Sequence, residues 1–503
     1  MRGATVGDGG VTDTSETAAH VARQWTGRIV GIVAAGVVYV VLDAETLGTS
    51  ARTTASVGAL MAVWWMTEAV PLAVTSLLPV ALFPVLGIAD VADATRPYAS
   101  DIIFLFGGGF VLAAAVQRWD LHRRIALSTV LMVGTAPRRL VGGFMLAAAF
   151  LSMWVSNSAT TVMMLPIGTS VVAMVHRQLD AEQADAAQRA RWRDFGTALL
   201  LAIAYAASIG SVATIIGTPP NGILVGFLAE QGQAVGFAQW MRFGVPVAVV
   251  FLVIAWWLLT RVVFRLPSRG FAGGETAIRA ELARLGRWSA GERATATVFV
   301  ATAGAWIGRP LLAELPGLAG LTDASIAIGA AVVLFLIPVD VRRGRMVLDA
   351  GALNRIPWNV LLLFGGGLSL ARAVGETGLA AFFGAQLVRL GDLPGIVVVL
   401  AVAAVVILLT EITSNTATTA VLLPVLAGVA VAIGTEVIDL VLPAAVVATF
   451  AFMLPVATPP NAIAYASGHI TVAQMARAGA LLNVVGVVVA TLAAVLVAPH
   501  VFG

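Results

Sequence analysis

A short polar motif occurs twice in this chain, each time inside a long apolar segment. The first copy is Ser-Asn-Ser at residues 156–158 and the second is Ser-Asn-Thr at residues 414–416, and an Ala-Thr-Thr sequence follows each copy. Polar side chains inside apolar, membrane-length segments are costly to bury, so they mark positions that bind something. The repeat therefore predicts two related sites and a fold that is itself duplicated.

The composition is that of a polytopic membrane protein. Of the 503 residues, 59% are hydrophobic and only 11% are charged, whereas about a quarter of the residues in a soluble domain are charged. At about 20 residues for each membrane-spanning helix, the chain is long enough for about ten or more spans. The sequence contains no cysteine, which excludes disulfides and thiol nucleophiles. The net charge of +3 gives no indication of a nucleic-acid partner.

Apolar runs predict an all-α membrane protein with about eleven spanning helices in the lipid bilayer. The predicted spans cover residues 29–47, 53–70, 72–89, 101–118, 195–228, 243–263, 295–313, 321–338, 357–375, 438–468 and 476–499. The polar segment 176–194 is predicted to form a surface helix.

Two further apolar segments, 140–174 and 395–432, are interrupted by the polar motifs. Each is predicted to be a re-entrant hairpin with the motif at its tip, since non-helical backbone within the membrane is tolerated where it lines a cavity. Two of the spans are also broken, at 217–222 and 457–461, where a Pro-Pro pair removes backbone donors and stops a helix from running through.

The distribution of arginine predicts the orientation in the plasma membrane. Arginine-rich loops lie on the cytoplasmic side, which places the N-terminal tail in the cytoplasm, the C-terminus outside and both ends of the first hairpin inside. The second hairpin lacks such basic flanks and is predicted to open to the exterior. The charged residues at its ends are Arg389, Asp392, Glu436 and Asp439.

The second half of the chain is predicted to repeat the first in inverted orientation. The spacing from Gly107 to Gly365, each in a Gly-Gly-Gly triplet, equals the spacing from Ser156 to Ser414. Inverted repeats with broken helices are typical of secondary transporters. The predicted units are a cytoplasmic tail (1–27), scaffold helices (28–100), the first repeat of a transport domain (101–235), scaffold helices of the second repeat with linking loops (236–356), and the core of the second repeat (357–503).

Helix ends meet at the tips and breaks, and their chemistry suits ions of both signs. A helix that begins at a tip offers unpaired N–H groups and a positive dipole end, which favour an anion. A helix that ends there offers carbonyl oxygens and a negative dipole end, which favour a small cation. Neutral hydroxyl, amide and carbonyl oxygens favour Na⁺ over a transition metal. No lysine occurs in the chain and no arginine lies in the tips or breaks, so bound Na⁺ would have to balance a dianion.

Symmetry between the two copies assigns the candidate ligands. The predicted Na⁺ ligands are Ser152, Ser156, Asn157 and the backbone of Gly217 at one site, and Thr410, Ser414, Asn415 and the backbone of Ala457 at the other. The predicted substrate-binding residues are Asn157, Ser158, Thr218, Asn415, Thr416, Thr458 and Pro459.

Structural explanations compete with these functional ones. In a single segment, Ser, Thr and Asn more often join helices, but two copies, each followed by a Thr-Pro-Pro-Asn break, favour binding sites. The glycine triplets favour close packing, because they lack the context of a phosphate loop. Glu411, whose counterpart is Met153, is either a coupling carboxylate or, as the interpretation we favour, a residue that orients the tip.

At these residues the chain resembles the divalent anion–sodium symporter family, the INDY-type carboxylate transporters. The matching segments are 151–161, 410–419, 452–463 and Trp-Trp-Met-Thr-Glu-Ala-Val-Pro at 64–71. The resemblance implies Na⁺-driven uptake of C4-dicarboxylates such as succinate, malate and fumarate, or of citrate or sulfate. It also implies a homodimer and an elevator-like motion of the transport domain. The first tip has Ser158 where the family has threonine, which leaves the preference among dianions open.

We therefore expect a secondary active transporter that imports dicarboxylates with two or more Na⁺ ions, and not an enzyme. A dicarboxylate exchanger that Na⁺ does not drive and a citrate or sulfate symporter are the alternatives. An anion channel is a more distant one, since a channel has no need of inverted broken helices. A membrane enzyme is disfavoured because no nucleophile–base pair or metal cluster occurs in the predicted spans.

Overall fold

The computed structural model describes residues 11–181, 185–267, 274–386 and 393–503. Within these ranges the protein is almost entirely helical, apart from a short antiparallel hairpin of β1 (Pro338–Asp340) and β2 (Arg345–Met346). The predicted all-α polytopic class is confirmed. Arg389 and Asp392, cited above as flanks of the second hairpin, lie outside the described residues.

Twelve helices precede residue 231 in the described part. They are α1 Val11–Val41, α2 Ala44–Leu47, α3 Thr49–Thr67, α4 Leu72–Thr75, α5 Leu78–Leu82, α6 Val91–Thr95, α7 Asp101–Arg118, α8 Leu121–Val133, α9 Pro137–Ser152, α10 Asn157–Ala181, α11 Ala186–Ser211 and α12 Pro219–Glu230.

Twelve more follow. They are α13 Phe237–Trp257, which continues as a π-helix over Leu258–Val263, α14 Gly274–Arg284, α15 Ala290–Leu312, α16 Asp323–Leu336, α17 Trp358–Glu376, α18 Leu379–Gln386, α19 Gly395–Thr410, α20 Asn415–Ile433, α21 Val437–Ala448, α22 Pro459–Ala466, α23 Val472–Leu496 and α24 Ala498–Phe502.

Eight helical segments in the described part are long and apolar enough to cross a membrane. They are Val21–Val41, Val91–Arg118, Asn157–Arg177, Ala186–Ser211, Phe237–Val263, Trp358–Glu376, Asn415–Ile433 and Val472–Leu496. Six of these coincide with predicted spans, and the other two are the second arms of the predicted hairpins. Shorter apolar helices cover Asp323–Leu336, Gly395–Thr410 and Val437–Ala448.

Two predicted elements differ from the structure. The predicted span 72–89 is not one helix but the short helices α4 and α5, separated by a turn before Pro79, which takes the first turn of α5. The predicted surface helix over 176–194 is wrong, because α10 continues to Ala181 and α11 begins at Ala186. The polar residues of this segment mark where the chain leaves the apolar core. In the described part, however, they belong to the ends of α10 and α11 and do not form a separate helix.

Both predicted hairpins are interrupted where the motifs lie. The first has α9 and α10 as its arms and the second has α19 and α20. The two broken helices are α11–α12 and α21–α22, with non-α segments at 212–218 and 449–458. Each break ends earlier than predicted, because the Pro-Pro pair forms the first turn of the following helix. Proline is tolerated there because N–H groups in the first turn make no intrahelical hydrogen bond.

The broken helices form the centre around which each hairpin packs. Residues 195–211 of α11 are all buried, as expected of a helix that is apolar on every side. Both arms of the first hairpin contact α11, and both arms of the second contact α21. Gly210 allows α9 to approach closely, since a Cβ there would overlap the backbone of Ala149. This packing brings each tip beside the break of its own repeat.

Candidate functional site

The two tips have the same local hydrogen bonding. At the first, Ser156 Oγ accepts from the backbone N of Ala159 at 3.3 Å. At the second, Ser414 Oγ accepts from Ala417 N at 3.4 Å. Each serine therefore caps the helix that begins at the next residue and holds the positive end of that helix at the tip.

The asparagine side chains of the tips are held by their carbonyl oxygens. Asn157 Oδ1 accepts from the backbone N of Ser158 at 2.8 Å and from its hydroxyl at 3.3 Å. Asn415 Oδ1 accepts from Thr416 N at 2.7 Å and from its hydroxyl at 3.1 Å. Among the described residues, neither Nδ2 group donates to a protein acceptor. Both amides thus keep two N–H donors without a partner in the described part of the chain.

The hydroxyl of the threonine two residues after each tip has a partner in the second repeat but, among the described residues, none in the first. Thr413 and Thr418 share a hydrogen bond of 2.7 Å between their hydroxyls. In the first repeat Val155 takes the place of Thr413, and the buried hydroxyl of Thr160 has no partner among the described residues. The two tips are therefore alike at the asparagine but not in the packing behind it.

The two breaks meet at the centre of the molecule. Thr218 and Thr458 lie in extended conformation immediately before α12 and α22. Thr458 Oγ1 accepts from Asn461 N at 3.3 Å. Thr218 Oγ1 lies 3.5 Å from the hydroxyl of Thr449, which begins the other break. Thr218 thus meets the other repeat at Thr449, a residue that we did not predict as part of the site. The helices that follow the tips also cross to the other repeat, since α10 contacts α22 and α20 contacts α12.

An asparagine that we did not predict as a site residue fixes each break. Asn221 donates from Nδ2 to the carbonyls of Ser211 at 3.2 Å and Thr214 at 2.8 Å. This accounts for the asparagine of the repeated Thr-Pro-Pro-Asn sequence, which reaches back to the end of the preceding helix. Because α11 leaves its last carbonyls without helical donors, this amide replaces part of the missing ladder.

The second break is closed in the same way. Asn461 donates from Nδ2 to Ala451 O at 3.1 Å and to Leu454 O at 3.0 Å. Both asparagines are completely buried, and both Oδ1 atoms lack a partner among the described residues. The repeated asparagine was the available signal, but the carbonyls that it holds could not be identified before the fold was known.

Each tip is joined to its break, although by different groups. In the first repeat the Thr214 hydroxyl donates to the carbonyl of Met153. In the second, the Glu411 carboxylate accepts from Met453 N at 2.9 Å and from Leu454 N at 3.0 Å.

Asn483 completes the second joint. Its Nδ2 donates to Glu411 Oε1 at 2.6 Å, and its Oδ1 accepts from Phe452 N at 3.1 Å. Glu411 and Asn483 together thus satisfy three successive N–H groups of the break. Glu411 is 4% exposed and has no cationic partner among the described residues. Its contacts favour the orienting role over the coupling role.

The candidate Na⁺ ligands differ in how well they are satisfied. Ser152 is completely buried and its hydroxyl has no partner among the described residues. Its counterpart Thr410 donates to Ile407 O at 3.0 Å. Gly217 is required by its surroundings, since a Cβ there would overlap the carbonyl of Ser211. Ala457 is buried within the second break.

Acidic and imidazole metal sites are not formed in the described ranges. These ranges contain no group of three or more His, Asp or Glu side chains that could hold a metal ion. The donors at the tips are neutral hydroxyls, amides and carbonyls, which suit Na⁺ rather than a transition metal.

Comparison with known proteins gives a family and two relatives. The profile of the sodium:sulfate symporter transmembrane region matches residues 22–502. The chain is 41% identical over 446 residues to the sodium-dependent dicarboxylate transporter SdcS of Staphylococcus aureus strain NCTC 8325 / PS 47, covering 88% of this chain and 85% of that protein. SdcS of strain USA300 shows the same identity and coverage.

Solved structures also share the fold. Among them is the structure of MtrF from Neisseria gonorrhoeae, which is described as illuminating a class of antimetabolite efflux pumps. Its TM-score is 0.54 at 13% sequence identity, covering 82% of this chain and 84% of that chain. At this identity the similarity concerns the fold alone.

The comparisons confirm the resemblance seen at the tips. They also confirm that the protein is a transporter rather than an enzyme, with Na⁺ as its coupling ion. Since the family profile spans almost the whole chain and the relatives match most of it, the chain belongs to the sodium:sulfate symporter family of membrane transporters.

Proposed function

We propose that this protein imports C4-dicarboxylates such as succinate, malate and fumarate by symport with two or more Na⁺ ions. The observation that supports this most is the pair of tip asparagines. In each, Oδ1 is held by the next residue, and Nδ2 has no partner within the described ranges. The name of the relatives, sodium-dependent dicarboxylate transporter, supports the substrate class.

The anion is proposed to lie between the tips and the breaks. Its ligands are Asn157, Ser158, Thr218, Asn415, Thr416, Thr458 and Pro459. Four helices, α10, α12, α20 and α22, begin at these residues. The positive dipole ends of these helices and the two asparagine amides would receive the two carboxylates without any fixed positive charge. Because α12 and α22 begin with Pro-Pro pairs, their first two residues supply no N–H donor.

The Na⁺ ions are proposed to lie behind each tip. One would be held by Ser152, Ser156, Asn157 and the Gly217 backbone. The other would be held by Thr410, Ser414, Asn415 and the Ala457 backbone. The carbonyl ends of α9 and α19 supply negative dipole ends there. The unpaired, buried hydroxyl of Ser152 supports the first site.

Shared asparagines couple the two ions chemically. A Na⁺ ion at Asn157 Oδ1 would replace the longer of its two hydrogen bonds, the one from the Ser158 hydroxyl at 3.3 Å. The released hydroxyl would then donate to the anion. The same exchange would occur between Asn415 and Thr416, where the corresponding bond is 3.1 Å. Each ion thereby raises the affinity for the other, as symport requires.

The remaining architecture of the proposal follows the charge distribution and the family resemblance. The protein lies in the plasma membrane with its N-terminus in the cytoplasm and its C-terminus outside. It forms a homodimer, and each protomer moves a transport domain against a scaffold by an elevator mechanism. The units are the tail 1–27, the scaffold regions 28–100 and 236–356, and the transport regions 101–235 and 357–503.

Uptake by purified protein in liposomes tests the function. Radiolabelled succinate should accumulate under an inward Na⁺ gradient and should not accumulate when choline replaces Na⁺. Citrate and sulfate, assayed in parallel, should compete weakly. Succinate uptake that is undiminished in choline, or counterflow of succinate without Na⁺, would show that the protein is an exchanger and not a Na⁺ symporter.

A further inference from the structure

A cavity of about 690 Å³ lies between α8, α10 and α14. Its wall on α10 includes Val162, Pro166, Ser170 and Arg177. These residues recur at the spacing of one helical face, and Ser158 lies on the same face one turn before Val162. The cavity therefore extends along α10 from Val162, one turn after Ser158, to Arg177. Arg177 lies on the side that the positive charges assign to the cytoplasm.

The corresponding region of the second repeat is packed more tightly. Counted from the tips, Gly428 of α20 corresponds to Ser170, and Ala380 of α18 corresponds to His122 of α8. Gly428 is buried, and a Cβ there would overlap the carbonyl of Ala380. The cavity that these two residues line has a volume of only about 230 Å³. Ser170, by contrast, is exposed and lines the larger cavity together with His122. The molecule is thus more open beside the first hairpin than beside the second.

The mouth of the cavity carries an excess of positive charge. Arg123 Nη2 lies 3.0 Å from Glu281 Oε1, and Arg284 Nη1 lies 2.9 Å from Glu281 Oε2. Arg177 has no ion-pair partner among the described residues, although it lines the same cavity. The cavity is therefore lined by three guanidinium groups and one carboxylate, and that carboxylate pairs with only two of them. Low-dielectric walls around an unbalanced charge strengthen its field and concentrate ions of opposite sign.

We propose that Arg123, Arg177 and Arg284 form a second anion site, at the cytoplasmic mouth, that binds small dianions carrying carboxylates. Guanidinium groups pair with carboxylates through two parallel hydrogen bonds, which favours this class of ligand. A dianion that leaves the first tip along α10 meets these arginines before it reaches the bulk solution. The identity of the anion rests on the proposed transport function, whereas the existence of the site rests on the cavity and its charges.

Two sources of anion share this chemistry, a soluble dicarboxylate and the phosphodiester of an anionic lipid. The position of the cavity on the face of α10 that carries Ser158, one turn from the first tip, favours the soluble dianion. The surplus of positive charge favours it further, because a dicarboxylate carries two charges and the phosphodiester one.

The rate at which a thiol in the cavity reacts with charged reagents reports the electrostatic potential of the cavity, and this measurement does not require transport. The chain contains no cysteine, so Ser170→Cys introduces a single reactive group into the full-length protein. The thiol is modified in Na⁺-free choline buffer, in parallel, with a sulfonate-bearing and a trimethylammonium-bearing methanethiosulfonate. The measured quantity is the modification rate with the anionic reagent divided by the modification rate with the cationic reagent. Adding Arg177→Gln should lower this ratio by about fivefold to tenfold, because the two reagents differ by two charges.

Arg287→Gln is the matched control. Arg287 is exposed in the loop after α14 and has no partner among the described residues, so its removal should leave the ratio unchanged. Succinate should slow modification of Ser170→Cys and should lose this effect when Arg177→Gln is added. An unchanged ratio in the Arg177→Gln background would overturn the proposal.

Lipid composition separates the two sources. In phosphatidylcholine nanodiscs, succinate should protect the thiol as strongly as it does in detergent. If phosphatidylglycerol blocks modification and succinate has no effect, the site belongs to lipid and the proposal is wrong. Because Na⁺ is absent throughout, the proposed transport site is not loaded. Failure of this test would therefore leave the uptake experiment unaffected, and failure of uptake would leave this one intact.

Discussion

At the scale of single residues, the two polar atoms of each tip asparagine have different surroundings. The oxygen of Asn157 accepts hydrogen bonds within the tip, whereas its nitrogen has no partner among the described residues, and we propose that it donates to the anion. Asn415 is arranged in the same way. Substitutions that change one atom and keep the other therefore separate the role in holding the tip from the role in binding the anion.

Asn157→Asp keeps an oxygen acceptor for Ser158 but removes both N–H donors and adds a negative charge. We expect succinate affinity to fall by about tenfold to a hundredfold, since a hydrogen bond to a charged group contributes about 1.5–3 kcal/mol. Na⁺ affinity should be retained. Calorimetric titration of Na⁺ and then of succinate into purified protein measures both.

Asn157→Ala should instead weaken both ligands, because it removes both atoms. Asn354→Ala, at an exposed position far along the chain, is the control and should change neither affinity. Wild-type Na⁺ affinity in Asn157→Ala would show that this amide is not shared between the two ions.

Glu411 is predicted to hold the second break rather than to carry protons or Na⁺. Glu411→Gln would place an amide N–H₂ against the backbone N–H of Met453 or Leu454. A buried donor left without an acceptor costs about 1–3 kcal/mol, so the thermal unfolding temperature should fall.

A double-mutant cycle checks this role. Glu411→Gln and Asn483→Ala remove parts of one network, so their combined effect on stability should be smaller than the sum of the separate effects. Glu314→Gln, at an exposed position, should leave stability unchanged. Additive effects of Glu411→Gln and Asn483→Ala would contradict the proposed network.

At the scale of elements, the hairpins and broken helices could be predicted from local sequence, but the side-chain contacts that connect them could not. A Pro-Pro pair in an apolar run predicts a break, and a polar tip predicts a turn in the membrane. Neither indicates that Asn221 and Asn461 reach back to the preceding helix, or that Glu411 meets Asn483. These contacts join residues whose proximity depends on how the helices pack.

Some elements were not predicted correctly, because the length of an apolar segment does not show whether it forms one continuous helix. Residues 72–89 are apolar enough for a span, yet prolines and turns divide them into α4 and α5. The short helices α8 and α18, which contact α10 and α20 respectively, were also not predicted. Each follows a glycine-containing span and has too few residues to show a distinct periodicity.

The seam between α18 and α20 gives an element-scale prediction. Gly428→Ala would force α20 away from the carbonyl of Ala380, and overpacking of this kind costs about 1–3 kcal/mol. We expect a lower unfolding temperature. Ser170→Ala, at the matching position of α10, lines an open cavity and should have almost no effect. Equal effects of the two substitutions would show that the two repeats do not differ in closure.

At the scale of the whole molecule, the polytopic class and the duplicated hairpins could be predicted because membrane burial restricts the chain to few solutions. The family could also be predicted, since the two tips carry most of the resemblance. The difference in openness between the two repeats could not, because it depends on how closely the neighbours of the equivalent residues Ser170 and Gly428 pack.

The two tips are proposed to bind Na⁺ and a dicarboxylate together, so that neither ion is moved without the other. Radiolabelled Na⁺ and succinate entry into the same proteoliposomes, measured in parallel, distinguishes coupled from uncoupled transport. We expect at least two Na⁺ ions for each succinate, with both fluxes lost together in Asn157→Ala and in Asn415→Ala. Succinate entry without accompanying Na⁺ entry would contradict it.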